Sequence, residues 1–415
     1  MSLPSTTTSG SGPGRSAGEL LRDRTFGLFF LGNLTSNCGT WFQNIAMSVV
    51  VFNLTGSALL VGAVNVAQFS SVLLLSPYAG AITDRVDRRR LLMTGQAVSF
   101  SGAAPLALWV ALVGVDGLPG IWPLLVAALV IGTGSAFSNP AMQALVPALV
   151  PPEDLDQAVA LTSVTYNIAR TVGPALAAVA LALANPAVAF GVNAFTFVVL
   201  FCALIVIRPR EVVRTRRDDG SVRAGLRHVM GDRHLLLLLI AVAGLGFAGD
   251  PVNTLTPPLA EAFGGRGALV GVFVSAYGAG AVLGTILVDR IRAHTTLHRM
   301  SWTGLAVMGA GILLVASSTV RWTATVAFAL AGVGFLLANT GLTTRIQQRV
   351  PEELRGRVLA LWSVAFLGSR PLAALLDGAL ADLWGVRLAM LAGGGIALAS
   401  ALLVIRGLRP GGDAA

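Results

Sequence analysis

The sequence predicts an all-α integral membrane protein of twelve transmembrane helices, arranged as two pseudo-symmetric six-helix bundles. Three observations carry that expectation. The 415 residues have a mean hydropathy of +0.75 and are only 12% charged, whereas a soluble domain needs about a quarter of its residues charged. Apolar stretches of about 20 residues, enough to cross the hydrocarbon core as a helix, recur along the whole chain. The second half also repeats a pattern of the first at a constant offset of 200 residues.

The elements follow in order. Residues 1–25 are a polar Ser/Thr/Gly tail without a cleavable signal pattern. Spans at 26–54 and 57–82 are parted by Thr55-Gly56, and a charged cluster precedes 91–114. Gly-Leu-Pro-Gly opens 121–143, Val-Pro-Pro-Glu opens 157–183 and Asn-Pro opens 187–207, each a helix-breaking junction. Residues 208–233 are the longest polar segment and divide the chain into bundles at 26–207 and 234–405. The second bundle holds spans at 235–262, 268–288, 300–318, 322–344, 358–380 and 386–405, and residues 406–415 close the chain as a polar tail.

Charge sets the orientation. Cationic loops stay cytoplasmic, and the tails together with the loops after even-numbered spans hold 24 of the 29 basic residues. The opposite loops hold Arg266, Arg321 and Arg387. Both termini are therefore expected in the cytoplasm of a cell (inner or plasma) membrane. The net charge of +9 is then a topology signal and implies no nucleic-acid partner.

Composition also excludes chemistry. The chain has no lysine, so it lacks the Walker A phosphate loop and any Schiff-base nucleophile. Its four histidines lie scattered at span ends without metal-ligand spacing, and Cys38 and Cys202 fall inside spans as core thiols. No enzyme activity, cofactor or metal site is expected.

The repeat is sharpest where span 4 runs into span 5 and span 10 into span 11. "GTGSAFSN" at 132–139 matches "GVGFLLAN" at 332–339, pairing Asn139 with Asn339. Downstream, Pro151 pairs with Pro351, Ser163 with Ser363 and Arg170 with Arg370. Parallel six-helix repeats are a recurrent transporter architecture.

The cluster "GAITDRVDRRR" at 80–90 completes the pattern. It resembles the loop 2–3 signature of the major facilitator superfamily, with Gly80, Asp84, Arg85, Arg88 and Arg89 in motif positions and Asp87 in place of a glycine. A degenerate second copy, "GTILVDRIR", supplies Asp289 and Arg290. The overall pattern looks most like the twelve-span drug- and siderophore-exporting branch. The resemblance implies that Asp84 latches the cytoplasmic side by facing the start of span 11 near Gly356, with Arg355 or Arg357 beside it. Asp289 faces the acidic start of span 5, so the latch should be asymmetric. "ARTVGPALAA" is similar to the family's antiporter motif and keeps Gly173 and Pro174, with three of its glycines replaced by alanine; close helix packing explains it as well as antiport does. The Arg that the family carries in span 4 would fall near Ala128 and is absent.

Charges inside the bilayer cost several kcal/mol and face a cavity or a partner. Arg170 and Arg370 fit either role. Asp250 beside Pro251, with Asp377 in reserve, is the candidate for carrying a proton, because a desolvated carboxylate takes one up more readily than a solvated one. Amides fall on stripes: Asn33, Asn37 and Asn44 with Trp41 on span 1, Asn139 and Gln143 on span 4, Asn253 on span 7 and Asn339 on span 10. In the resembling fold these spans line the central cavity, while spans 3, 9 and 12 face lipid. Each amide could equally glue helices together. The functional expectation is a monomeric proton antiporter, seated in a lipid bilayer, that exports a small apolar or amphipathic substrate by alternating access. An importer, an uncoupled facilitator and a non-transporting membrane sensor are the alternatives.

Overall fold

The computed structural model describes residues 15–83, 85–183, 186–210, 222–265 and 267–407; some side chains within helices, including those of Arg170 and Pro174, lie outside the described set. In chain order the helices are α1 (Ala17–Arg22), α2 (Arg24–Thr55), α3 (Ala58–Thr83), α4 (Arg88–Val113), α5 (Trp122–Leu145), α6 (Leu155–Leu183), α7 (Pro186–Val206) and α8 (Val222–Gly231). They continue with α9 (Arg233–Ala248), α10 (Pro251–Thr254), α11 (Thr256–Ala262), α12 (Gly267–His294), α13 (Leu297–Ser317), α14 (Arg321–Arg349), α15 (Glu352–Trp384) and α16 (Val386–Gly407).

This is an all-α, multi-pass membrane fold. Ten helical stretches among the described residues are long and apolar enough to cross a membrane, fewer than the twelve expected. The two remaining long helices are α2 and α6. Helix α2 has 32 residues but interrupts its apolar run with Asn33, Asn37, Gln43 and Asn44, and α6 carries Asp156, Asn167 and Arg170. The expected continuous span at 235–262 is also corrected: it is three pieces, α9, α10 and α11. Pro251 and Pro257 sit at the breaks, where a missing N–H ends one helical ladder and starts the next. Part of the central polar segment is helical too, as α8.

Helices α2 to α7 pack mainly on one another, as do α9 and α12 to α16; the broad contacts between the two sets are α3 with α15 and α6 with α12. Large apolar side chains point outward along the spans, among them Leu74, Leu112, Val126 and Leu372, as lipid requires. Cys202 is exposed, which corrects its expected core position; Cys38 is half-buried. Four exposed tryptophans, Trp109, Trp122, Trp322 and Trp384, gather at the same end of their helices. Tryptophan favours the membrane–water boundary, so they mark one face.

The opposite, arginine-rich end is tied by capping. The Asp87 side chain accepts the Arg90 N–H at 2.9 Å and starts α4, so the residue that departs from the family motif is a helix N-cap. Arg88 donates to the Ala144 carbonyl (2.9 Å), and Arg89 to those of Leu204 (2.5 Å) and Ile205 (2.7 Å), placing cations at the C-terminal ends of α5 and α7. The first long helix of each set is capped by an aspartate that also meets an arginine. Asp23 caps α2 and meets Arg15 at 3.2 Å, while Asp232 caps α9 and meets Arg349 at 2.5 Å. Burial pushes the Asp232 carboxyl up, but Arg349 and the His234 N–H outweigh it and hold the group below the usual carboxylate range.

Candidate functional site

A cavity of about 190 Å³ opens among α2, α3, α4, α5, α7 and α15. Helix α2 contributes Asn37, Trp41 and Asn44, and α5 contributes Ser135, Ser138 and Asn139. Opposite them stand Gln68 and Phe69 of α3, Gln96 and Ser99 of α4, and Phe366 and Arg370 of α15. The wall is organised by hydrogen bonds. Ser36 donates to Gln96 (3.2 Å), Gln96 donates to the Ser138 hydroxyl (3.2 Å), and Asn37 donates to the Asn33 side chain (2.6 Å). Among the described residues, such a wall is polar but, apart from Arg370, uncharged. It suits an amphipathic molecule held by a few oriented dipoles.

Arg370 is only 4% exposed. Its guanidinium carbon lies 5.3 Å from the ring centres of both Phe69 and Phe366, so it is stacked between the two sets of helices. Its Nε has no protein hydrogen-bond partner. Two carboxylates lie on the tryptophan side of it. Asp250 and Asp377 are both fully buried and close enough for their charges to act on one another, and the Arg370 charge also acts on Asp250. Oδ2 of Asp250 accepts from the Thr254 hydroxyl at 2.6 Å, and that hydroxyl accepts from the Asn65 amide at 3.1 Å. Oδ1 of Asp250 and both carboxylate oxygens of Asp377 lack a protein hydrogen-bond partner.

The tryptophan-marked end is closed over this pair. Asp382, near the end of α15, accepts from the backbone N–H groups of Ala58 (2.7 Å) and Leu59 (3.1 Å) and from the Ser57 hydroxyl (2.5 Å). The carboxylate thus caps the first turn of α3 across the boundary between the two sets of helices. Below it the backbones touch. A Cβ on Gly62 would stand 2.3 Å from the Ala374 carbonyl oxygen, and one on Gly378 would stand 2.6 Å from the Leu59 Cα. Toward the arginine-rich end the helices part. Gly80 falls on the same face of α3 as Gly62, about five turns on, and nothing lies within 4 Å of where its Cβ would be.

The expected site residues divide accordingly. Asn37, Trp41, Asn44, Asn139 and Arg370 line the cavity. Asn33 is buried behind it and donates to Thr165 at 3.3 Å; Gln143 is exposed; Asn253 and Asn339 lie in α10 and α14, outside the lining. Asp250 does not reach the cavity surface. Gly173 packs against the Trp41 Cβ and the Cys38 carbonyl, a close helix approach. Asp84 lies outside the described residues; Arg85, Asp289 and Arg290 are exposed. Span 4 faces the cavity as expected, but span 3 does not face only lipid, since Gln96 and Ser99 line the wall. Gln68 and Gln96 carried the same signal as the α2 amides, a costly polar group inside a span. Spans 2 and 3 lie outside the set expected to line the cavity, 1, 4, 7 and 10, so the sequence leaves both glutamines unassigned.

The sequence profile described as transmembrane secretion effector matches residues 16–415. The chain belongs to that family. The chain is 26% identical over 367 residues to the staphyloferrin A transporter of Staphylococcus aureus, covering 86% of this chain and 90% of the relative. It is 25% identical over 391 residues to the enterobactin exporter EntS of Salmonella choleraesuis, covering 92% and 91%. Its fold matches the crystal structure of a bacterial homologue of the human lysosomal transporter Spinster, in an inward-facing and unoccupied conformation. That match has a TM-score of 0.74 at 12% identity and covers 92% of this chain and 96% of the other. The chain is therefore a secondary transporter of the major facilitator fold, related to siderophore and drug efflux proteins, and not an enzyme.

Proposed function

We propose that this chain is a proton-coupled exporter of a small amphipathic or apolar molecule. In this reading it works as a monomer with twelve spans in two bundles, 26–207 and 234–405, joined by 208–233. The arginine-rich end and both termini lie in the cytoplasm of the cell membrane, so the tryptophan-marked end is the outer one. The state described here is then inward-facing: the cavity is sealed outside by α3 against α15 and parts toward the cytoplasm. One observation carries the coupling. A fully buried pair of carboxylates, Asp250 and Asp377, sits directly under the outer seal, and Asp250 feels the charge of Arg370, the one cationic side chain among the described residues of the cavity wall.

Inverted vesicles test the reading with a drug or siderophore panel, with and without a pH gradient. Uphill accumulation that collapses with the gradient is expected. Asp250→Asn and Asp377→Asn each nearly keep shape while removing a titrating group. Both are expected to reduce gradient-driven export to background while leaving downhill exchange in place. Uphill export by both variants at wild-type rates rules the acid pair out.

A further inference from the structure

The outer seal and the acid pair are joined by one hydrogen-bond chain. Asn65 of α3 donates to Thr254 of α10 at 3.1 Å, and Thr254 donates to Asp250 at 2.6 Å. Both Thr254 and Asp250 are fully buried and Asn65 is nearly so. This chain crosses from one set of helices to the other, and its last member is the acid assigned above to proton coupling.

The surroundings of Asp250 define what the closed state tolerates. Helix α15 brings Arg370 and Asp377 to it. The other elements packed against α10 are α2, α3, α11, α12 and α16. Helix α3 presents no ionised side chain between Ala58 and Thr83, and the charged residues of α2 and α12 lie at their far ends. Glu261 of α11 is exposed, and Arg387 of α16 stacks on Phe263 at 6.0 Å. The Arg370 charge acts on Asp250, the Asp250 charge acts on Asp377, and three of the four carboxylate oxygens lack a protein hydrogen-bond partner. If both were ionised, a net negative charge would be sealed in an apolar interior, which breaking the seal would relieve by admitting water.

We propose that Asn65 and Thr254 are positioning residues of the proton step: they clamp α3 onto Asp250 so that the outer end closes over the protonated pair and opens when the proton is lost. The proposal rests on the exporter reading above. The proton enters from outside water while the outer end is open, is carried on the pair through closure, and leaves to the cytoplasmic cavity past Arg370. Loss of the proton leaves both carboxylates charged beneath the seal, and the cost of burying that charge outweighs the stronger hydrogen bond that Thr254 gives a carboxylate, so the outer end opens. This order also suits antiport, because the form that waits outside for a proton is the deprotonated one.

Spin labels on Trp122→Cys and Trp322→Cys, in a background lacking Cys38 and Cys202, report the separation of the outer ends of α5 and α14 in reconstituted full-length protein. Between about pH 5 and pH 8, the wild-type outer-open fraction is expected to rise with pH. Asp250→Asn is expected to keep a low open fraction that does not change with pH. Thr254→Val and Asn65→Ala are expected to flatten the pH response and to raise the open fraction at low pH roughly fivefold, the loss of one hydrogen bond to a neutral group. Thr254→Ser, which keeps the hydroxyl, is expected to restore the response. Asp382→Ala loosens the same seal without touching the acid pair, so it is expected to shift the midpoint while keeping the full amplitude. If Thr254→Val and Asn65→Ala behave like Asp382→Ala, or titrate like wild type while Asp250→Asn is fixed, the clamp is overturned and the exporter reading stands. If Asp250→Asn itself titrates like wild type, the coupling reading falls and the clamp falls with it.

Discussion

Arg370 shows how much one residue depends on the three-dimensional partners that the sequence conceals. The repeat marks it, through Arg170 two hundred residues earlier, and its cost inside a bilayer flags a role. Neither signal reveals that Phe69, from the other set of helices, forms half of its stacking site. That contact joins residues about three hundred positions apart, which local patterning does not encode. The same holds for Asp250 and Asp377: each was legible as a buried acid, but their pairing was not. A planar guanidinium between two rings is poorly replaced by a compact ammonium. Arg370→Lys is therefore expected to keep charge and expression but raise the apparent KM for substrate about tenfold, as the loss of one to two kcal/mol of stacking implies. A KM unchanged from wild type in a vesicle transport assay shows that the stacking is irrelevant to substrate.

At the scale of the helix, the sequence points to a carboxylate latch at the arginine-rich end, and the structure describes one at the tryptophan-marked end. The motif directed attention to Asp84, at the end of span 2 and facing the start of span 11. The described latch is the mirror image, Asp382 at the end of α15 facing the start of α3. Two antiparallel helices permit both arrangements, but only the first has a family motif to announce it. Span 7 was misread for a related reason. Apolar periodicity runs through Gly249 and Asp250 without pause, so hydropathy sees one span where Pro251 and Pro257 make three pieces. The cap is testable. Asp382 is exposed, so its hydrogen bonds to the α3 terminus are worth about 1 kcal/mol, as other N-caps are. Asp382→Ala is expected to raise the outer-open population about fivefold, read from the same pair of spin labels, whereas Asp382→Asn, still a competent cap, changes it little. An Asn variant as open as the Ala variant would assign the latch to charge instead of capping geometry.

For the whole molecule, the distribution of charge and tryptophan makes a single claim about orientation. Arginines crowd one end, at Arg85 to Arg90, Arg290, Arg292, Arg349, Arg355 and Arg357, and the exposed tryptophans crowd the other. Cationic loops remain on the side of synthesis because carrying them across the membrane is unfavourable, so the arginine-rich end is expected inside. The inward-facing assignment, the direction of the proton path and the side on which Asp382 latches all depend on that step. Arg292 and Asp116 are both exposed and lie at opposite ends. In a background lacking Cys38 and Cys202, Asp116→Cys is expected to react with an impermeant maleimide in intact cells. Arg292→Cys is expected to react only after the cells are opened. The reverse pattern turns the molecule over: the cavity described here then opens to the exterior, and a proton entering through the parted end drives uptake in place of export.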